Sequence, residues 1–297
     1  MMSRRSFLKL TGLTALAGVG LSSYALAIEP RFRLEVTRYQ LTPPGWPTGR
    51  RPIRIAAIAD LHICDPWMPI SRLEEIVAVT NGLQPDIIVL LGDFIGSMSR
   101  FGTSAVPIAD WAQVLGRLEA PLGVRSILGN HDWWTDVDGI RAGLVENGIP
   151  VMENAVELIP ATDGSEFWLA GLGDQLARQV GHSRFVGVDD LPGTLAQVTD
   201  DRPVVLLAHE PDIFTQVPAR VSLTLSGHTH GGQVNLPFLG RPVVPSAYGD
   251  RFAYGHIVEE GRHLIVSGGL GCSKMPIRFR VPPEIVLVEL GGDTVAS

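Results

Sequence analysis

The chain has 297 residues, 45% of them hydrophobic, with 24 Lys and Arg against 31 Asp and Glu and a formal net charge of −7. That length suffices for one large domain or two ordinary ones, and a mean hydropathy of +0.19 supplies enough apolar surface for a sizeable core. The negative balance argues against a general nucleic-acid binder.

Residues 1–27 read as a segment apart from the folded domain. A polar, basic start with Arg4 and Arg5 adjacent is followed by the uncharged run "TGLTALAGVGLSSYALA", which ends in Ala25-Leu26-Ala27. This is the n-region, h-region and small-residue cleavage site of an export signal. The arginine pair, followed by Phe7, Leu8 and Lys9, resembles the bacterial twin-arginine signal. The competing reading is an uncleaved N-terminal membrane anchor. Residues 28–52 form an N-terminal strand and loop segment, the Pro- and Gly-rich "TPPGWPTGRRP" (42–52) being the loop, and 53–297 the main domain.

In that domain "IRIAAIAD" (53–60) is a short apolar run suited to a buried strand. Residues 71–85 carry apolar side chains at helical spacing, with Ser71 as the expected N-cap and Glu74 completing a capping box. "DIIVLLGD" (86–93) is a second strand, 105–118 a helical stretch, "GVRSILGNHD" (123–132) a third strand and 138–147 a helix. "EFWLAGLGD", "PVVLLAHEPD", "VSLTLSGHTH" and "HLIVSGG" read as further strands, with a helix over 190–199 and a last strand, "EIVLVEL", at 284–290. Strand and helix alternate first and strands dominate later. That pattern predicts an α/β fold of two packed sheets covered by helices.

The strand ends carry the polar signal. Asp60 and His62 follow the first strand and Asp93 ends the second; Asn130, His131 and Asp132 end the third, His209 a later one, and His228 and His230 another. Taken singly, each has an ordinary reading as a turn former, a cap or a hydrogen-bonded structural residue. Together they place five of the eight histidines in one recurrent setting, where ligands of open α/β sheets gather. His228 and His230, two apart in an extended segment, point to the same side and can share a site. His182, His256 and His263 fall outside the pattern and are taken as ordinary. Cys64 and Cys272 are the only cysteines; the default is two free thiols, although an exported chain can oxidise such a pair.

"DLH" (60–62), "GD" (92–93), "GNHD" (129–132), "AHEP" (208–211) and "GHTH" (227–230), in that order and each after an apolar strand, resemble the calcineurin-like metallophosphoesterase superfamily over about 53–290. The export signal, "GNHDWW" and "RFRVPPEI" point to its exported bacterial branch, relatives in which hydrolyse lipid-linked nucleotide pyrophosphates. The resemblance implies an α/β/β/α sandwich of two mixed sheets flanked by helices. It also implies two divalent transition-metal ions, and a donor set without thiolate suits Mn, Fe, Zn or Co. By resemblance Asp93 bridges the metals; Asp60, His62 and His230 complete one, and Asn130, His209 and His228 the other. A water made acidic by the pair would attack phosphorus in line, with His131 as general acid and Asp132 as its orienting partner.

Substrate specificity stays open at this level. Trp133 and Trp134 read equally as an apolar wall of the site or as core anchors. Lys274, Arg278 and Arg280 form a basic cluster, either a solvated loop or a seat for a phosphate or anionic headgroup, and Gln233 reads as a turn residue more than a substrate contact. The expected partners are a phosphodiester or pyrophosphate substrate, envelope-derived or lipid-linked, the twin-arginine export machinery and the membrane surface, with no nucleic acid. Two rivals stand beside this reading: a membrane-anchored pyrophosphatase of a nucleotide-linked lipid, and a non-catalytic metal-binding envelope protein.

Overall fold

The computed structural model describes residues 18–160, 164, 166–181 and 184–292, with Arg4 and Leu16. The expected export segment falls largely on residues outside that set, as does His182. Residues 18–23 are helical and continue through a wider turn, Tyr24–Ile28, into Glu29–Phe32. Thirteen strands follow among the described residues, in chain order β1 (Glu35–Leu41), β2 (Ile53–Ile58), β3 (Ile87–Leu90), β4 (Val124–Ser126), β5 (Ala155–Pro160), β6 (Glu166–Gly171), β7 (Arg178–Gln179), β8 (Phe185–Val186), β9 (Val204–Leu207), β10 (Leu223–Ser226), β11 (Gly255–Glu259), β12 (Arg262–Val266) and β13 (Glu284–Leu290). The helices between them are α1 (Ile70–Gly82), α2 (Ile108–Leu115), α3 (Asn130–Thr135), α4 (Val137–Glu146) and α5 (Leu191–Leu195).

Two main sheets form, one ordered β1-β13-β2-β3-β4 and the other β11-β12-β10-β9-β6-β5, with a separate hairpin of β7 and β8. Both are mixed: β2, β3 and β4 run parallel, as do β6, β9, β10 and β12, whereas β13 is antiparallel to β2, β11 to β12 and β5 to β6. Central strands buried on both faces must be apolar throughout, and "IIVL", "VVLL" and "LTLS" are buried at every position.

Alternate residues of these strands feed different layers. Ile55, Ala57, Ile87 and Val89 of one sheet meet Val205, Leu207, Leu223 and Leu225 of the other in the central core. Ala56, Ile58, Ile88 and Leu90 point outward onto α1, α2 and α4 through Leu73, Trp111 and Ile140, while Val204, Leu206 and Val266 pack under Leu191 and Phe214. The architecture is therefore the helix–sheet–sheet–helix sandwich. The helix expected to start at Ser71 begins at Ile70 instead, with Pro69 at the N-cap and no side-chain cap, so Ser71 lies inside the first turn and makes no capping box. Proline fixes its own φ near the value a helix entry needs, which competes with the serine cap.

Candidate metal centre

β2, β3, β4, β9 and β10 all end at one edge of the sandwich, and the residues after them converge there. Asp60, His62 and His230 form one buried cluster and Asp93, His209 and His228 another, each with its ligand atoms within 4.8 Å of one another. The Nε2 atoms of His62 and His230 stand 2.9 Å apart. Asn130 Oδ1 lies 2.9 Å from His228 Nδ1, which adds it to the second cluster. Asp93 Oδ2 is 3.4 Å from His62 Nε2 and 3.4 Å from His209 Nε2, so a single carboxylate oxygen faces both clusters. The structure thus gathers all seven residues expected as ligands.

The local backbone is unusual. Asp60, His62, Asp93, His228 and His230 all have positive φ, between 44° and 67°. Non-glycine residues rarely adopt this conformation, and where they do it tends to mark functional sites. The bends aim side chains of adjacent positions inward from a strand end. Glycine supplies the clearance: a Cβ on Gly227 would come within 2.6 Å of Asp60 Oδ2, and one on Gly129 would strike Asp93 Oδ1. His228 N–H donates to both Asp60 oxygens, at 2.9 and 3.1 Å, which ties the β2 and β10 ends together.

Burial sets the charges. It pushes the Asp60 carboxyl up to about 7, with His209 opposing and Asp93 adding to the rise. Burial also pulls His62 down to about 3 and His230 well below the usual imidazole range, so both rings are neutral. Burial alone would raise Asp93, but His209, His131 and His62 outweigh it and hold its carboxyl well below the usual range. His209 uses Nδ1 on the Leu91 carbonyl at 2.7 Å, which turns Nε2 toward Asp93, and that buried Nε2 has no hydrogen-bond partner among the described residues. Imidazoles and carboxylates crowded together in a buried site are costly unless a cation is shared among them, and without one, against the pull of burial, Asp93 drives the His209 ring well above the usual imidazole range. This donor set, nitrogen and oxygen without sulfur, fits two divalent ions of borderline hardness.

The calcineurin-like phosphoesterase family model matches residues 53–232, a span that contains every one of these side chains. The chain belongs to the calcineurin-like phosphoesterase family. It is 33% identical to the Bacillus subtilis metallophosphoesterase YkuE over 97% of this chain and 98% of that protein. It is 30% identical to the Escherichia coli phosphodiesterase YaeI over 98% of this chain and the whole of that one. A zebrafish transmembrane protein with a metallophosphoesterase domain is 32% identical over 82% of this chain and 54% of its own length. The protein is accordingly a metallophosphoesterase, a hydrolase of phosphoric esters.

Among the other residues of the phosphoesterase site, Asp132 and Arg278 depart from the sequence-based assignments. His131 is half-buried at the mouth, its ring 4.7 Å edge-on to His62, and its backbone N–H donates to Asp93 Oδ1 at 2.8 Å. Asp132 does not orient it. Its buried carboxylate accepts the N–H groups of Asp93, Phe94 and Gly129 at 2.8–2.9 Å, and so clamps the β3 end to the start of α3. The side chain near His131 Nε2 is Ser273, its Oγ 3.4 Å away, a residue the sequence did not single out. Gln233, at a φ of 58°, fastens the loop carrying Ser273 by accepting its N–H at 2.6 Å. The two tryptophans divide the roles left open: Trp133 packs against the core, while Trp134 is exposed, stacked on Phe185 and 5.2 Å from His131. Arg278 does not belong to a solvated basic cluster. It is fully buried, donates to the carbonyls of Gly271 and Val281, and reaches within 3.4 Å of His230 Nδ1, whereas Lys274 and Arg280 are exposed. Both thiols are free and buried, packed in one small cluster with Met98. His256 and His263 stack on each other on β11 and β12.

Proposed function

We propose that this phosphoesterase hydrolyses phosphodiester or pyrophosphate bonds at a pair of divalent transition-metal ions. The carrying observation is Asp93 Oδ2, equidistant at 3.4 Å from a histidine of each cluster. On this reading Asp60, His62 and His230 hold one ion, Asn130, His209 and His228 the other, and Asp93 is shared. A metal pair bound there would supply Lewis acidity toward phosphoryl oxygen and a hydroxide nucleophile at neutral pH.

The chain's own groups do the rest. The left-handed turns and the Asp132 clamp hold the donors in place before substrate arrives, so little reorganisation accompanies binding. His131 stands at the mouth with an accessible imidazole and gives a proton to the departing alkoxide. Trp134, exposed beside it, offers an apolar wall to the leaving group. That the E. coli relative carries the name phosphodiesterase supports a diester substrate. The Arg4–Arg5 pair and the run to Ala27 support twin-arginine export to the cell envelope, where envelope phosphoesters, lipid-linked ones included, are the candidate substrates.

The test is metal content and turnover of a bis-aryl phosphodiester with added Mn²⁺. The protein should bind close to two ions and lose activity on chelation. Asp93→Asn should deplete both positions, and Asp60→Asn chiefly one. Full metal content and rate in Asp93→Asn would remove the shared-ligand assignment.

A further inference from the structure

Segment 278–281 is a strip with two flanks. On one side Arg278 N–H donates to the Ala25 carbonyl at 2.9 Å and Val281 N–H to the buried Glu29 carboxylate at 2.7 Å, docking the N-terminal helix. On the other, Phe279 pairs with Val234, its N–H donating to Gln233 O and its carbonyl accepting from Asn235 N–H, each at 2.9 Å. Beneath the strip the Arg278 side chain reaches the ligand-type residue His230. Two apolar protrusions therefore flank one wall of the metal centre.

One protrusion is the tip of the turn closed by Leu236 and Gly240, where Phe238 is 106% and Leu239 79% exposed. Phe238 sits there at a φ of 67°, a costly conformation for a bulky aromatic side chain that no described residue covers. The other protrusion is the turn Glu29–Phe32, just beyond the export segment expected to end at Ala27 and held by Glu29, with Ile28 and Phe32 exposed. On the same strip and the neighbouring loop that Gln233 fastens, Arg280 and Lys274 are exposed and make no ion pair with any described residue. Unpaired cations beside protruding apolar side chains are conspicuous on a chain of net charge −7.

We infer that this rim is a membrane-docking face that seats the metal centre on an anionic phospholipid surface. Exposed apolar side chains joined through one strip to exposed cations suit a headgroup layer, where apolar side chains sink below the phosphates and basic ones meet them; the Asp250 carboxylate, near Gly240, is the acid such a surface must keep at its rim. Among the described residues no helix is long and apolar enough to cross a membrane. The inference deepens the hydrolase reading by presenting the site to substrates held in or near a bilayer, and rests on that reading only for what the site does.

The test uses the full chain in flotation with phosphatidylcholine vesicles and with mixed phosphatidylcholine–phosphatidylglycerol vesicles. The unaltered protein should partition onto the mixed vesicles. Phe238→Ser with Leu239→Ser should weaken partition by roughly tenfold for each apolar side chain withdrawn. Lys274→Gln with Arg280→Gln should weaken it by roughly fivefold for each cation lost, and only on the anionic vesicles. Turnover of a soluble aryl phosphodiester should stay the same in the Phe238 and Leu239 variant. Absence of vesicle binding by the unaltered chain, or undiminished binding by both double variants, overturns the inference. So does conversion of a dimer to a monomer by the Phe238 and Leu239 changes, which would make a second copy the occupant. Vesicle binding without hydrolysis of any phosphoester would instead defeat the hydrolase reading and leave the docking face standing.

Discussion

Five of the ligand-type residues hold a left-handed backbone, and at this scale geometry and chemistry make separable demands. A β-carbon at positive φ costs on the order of 1 kcal/mol or more, which glycine avoids. At position 230, where φ is 52°, chelated His230→Gly protein should therefore be more stable than His230→Ala by about 1 kcal/mol. Denaturant titration of the two variants checks this; a stabler alanine variant would show that the turn is not left-handed in solution. His131 makes a chemical demand instead. His131→Ala should keep its metal content while turnover falls by roughly 10²–10⁴-fold, the scale of a lost general acid. The loss should shrink with nitrophenolate leaving groups, which need little protonation, and an equal loss on alkoxide and nitrophenolate substrates would count against proton donation.

Secondary elements meet chiefly through apolar faces, but the sheet edges carry one polar tie. Arg125 on β4 grips Glu157 on β5 through two hydrogen bonds of 2.5 and 2.6 Å, joining the edge strands of different sheets. That hydrogen bonding holds the Glu157 carboxyl below its ordinary value of 4.5, against a rise from partial burial. A depressed folded-state value means the contribution is present above pH 4.5 and disappears as pH falls through the folded-state value. With Glu157 substantially exposed, solvent screening limits the gain to at most about 1 kcal/mol. Glu157→Gln should thus be slightly less stable near pH 7 and converge with the unaltered protein in acid. Stability curves that stay parallel down to the acid limb would show that the ion pair contributes nothing.

For the whole molecule, the ligand-type residues follow strands of both sheets, so metal binding and sheet packing are linked. A ligand that binds only the folded state stabilises it in proportion to the logarithm of its concentration. Chelation should lower the unfolding temperature by several degrees, and Mn²⁺ titration should raise it steadily, as followed by scanning calorimetry. An unfolding temperature indifferent to both would mean the centre is not loaded by those ions. A site assembled from five separated segments also needs a folded chain before transport if metal is loaded in the cytoplasm, which suits an export route for folded cargo. Arg4→Lys with Arg5→Lys keeps the charge of the n-region, yet should strand a folded, active precursor inside the cell. Normal delivery of that variant would sink the twin-arginine assignment and leave the metal centre untouched.

Local chemistry made much of this legible in the sequence. Short β-branched-rich apolar runs bounded by turn residues, such as "IIVL" and "VVLL", read as buried strands, and the Asp, Asn and His residues within a few positions after them then emerge at strand ends. The segments holding Asp60, Asp93, Asn130, His209 and His228 could therefore be placed on one edge without coordinates. What required the fold were properties of pairs distant in sequence. Strand β1 lies parallel to β13, although 242 residues separate the two. Asp132 binds backbone near Asp93 and not His131, because its neighbour in space is the β3 end. Arg278 looks like a surface cation beside Lys274 and Arg280, and is buried because carbonyls of Gly271 and Val281 wait for it. Trp133 and Trp134 are adjacent and opposite in fate, one turned to the core and one to the site mouth. Burial and hydrogen-bond partners are set by which surfaces meet, and no local pattern of residues encodes that.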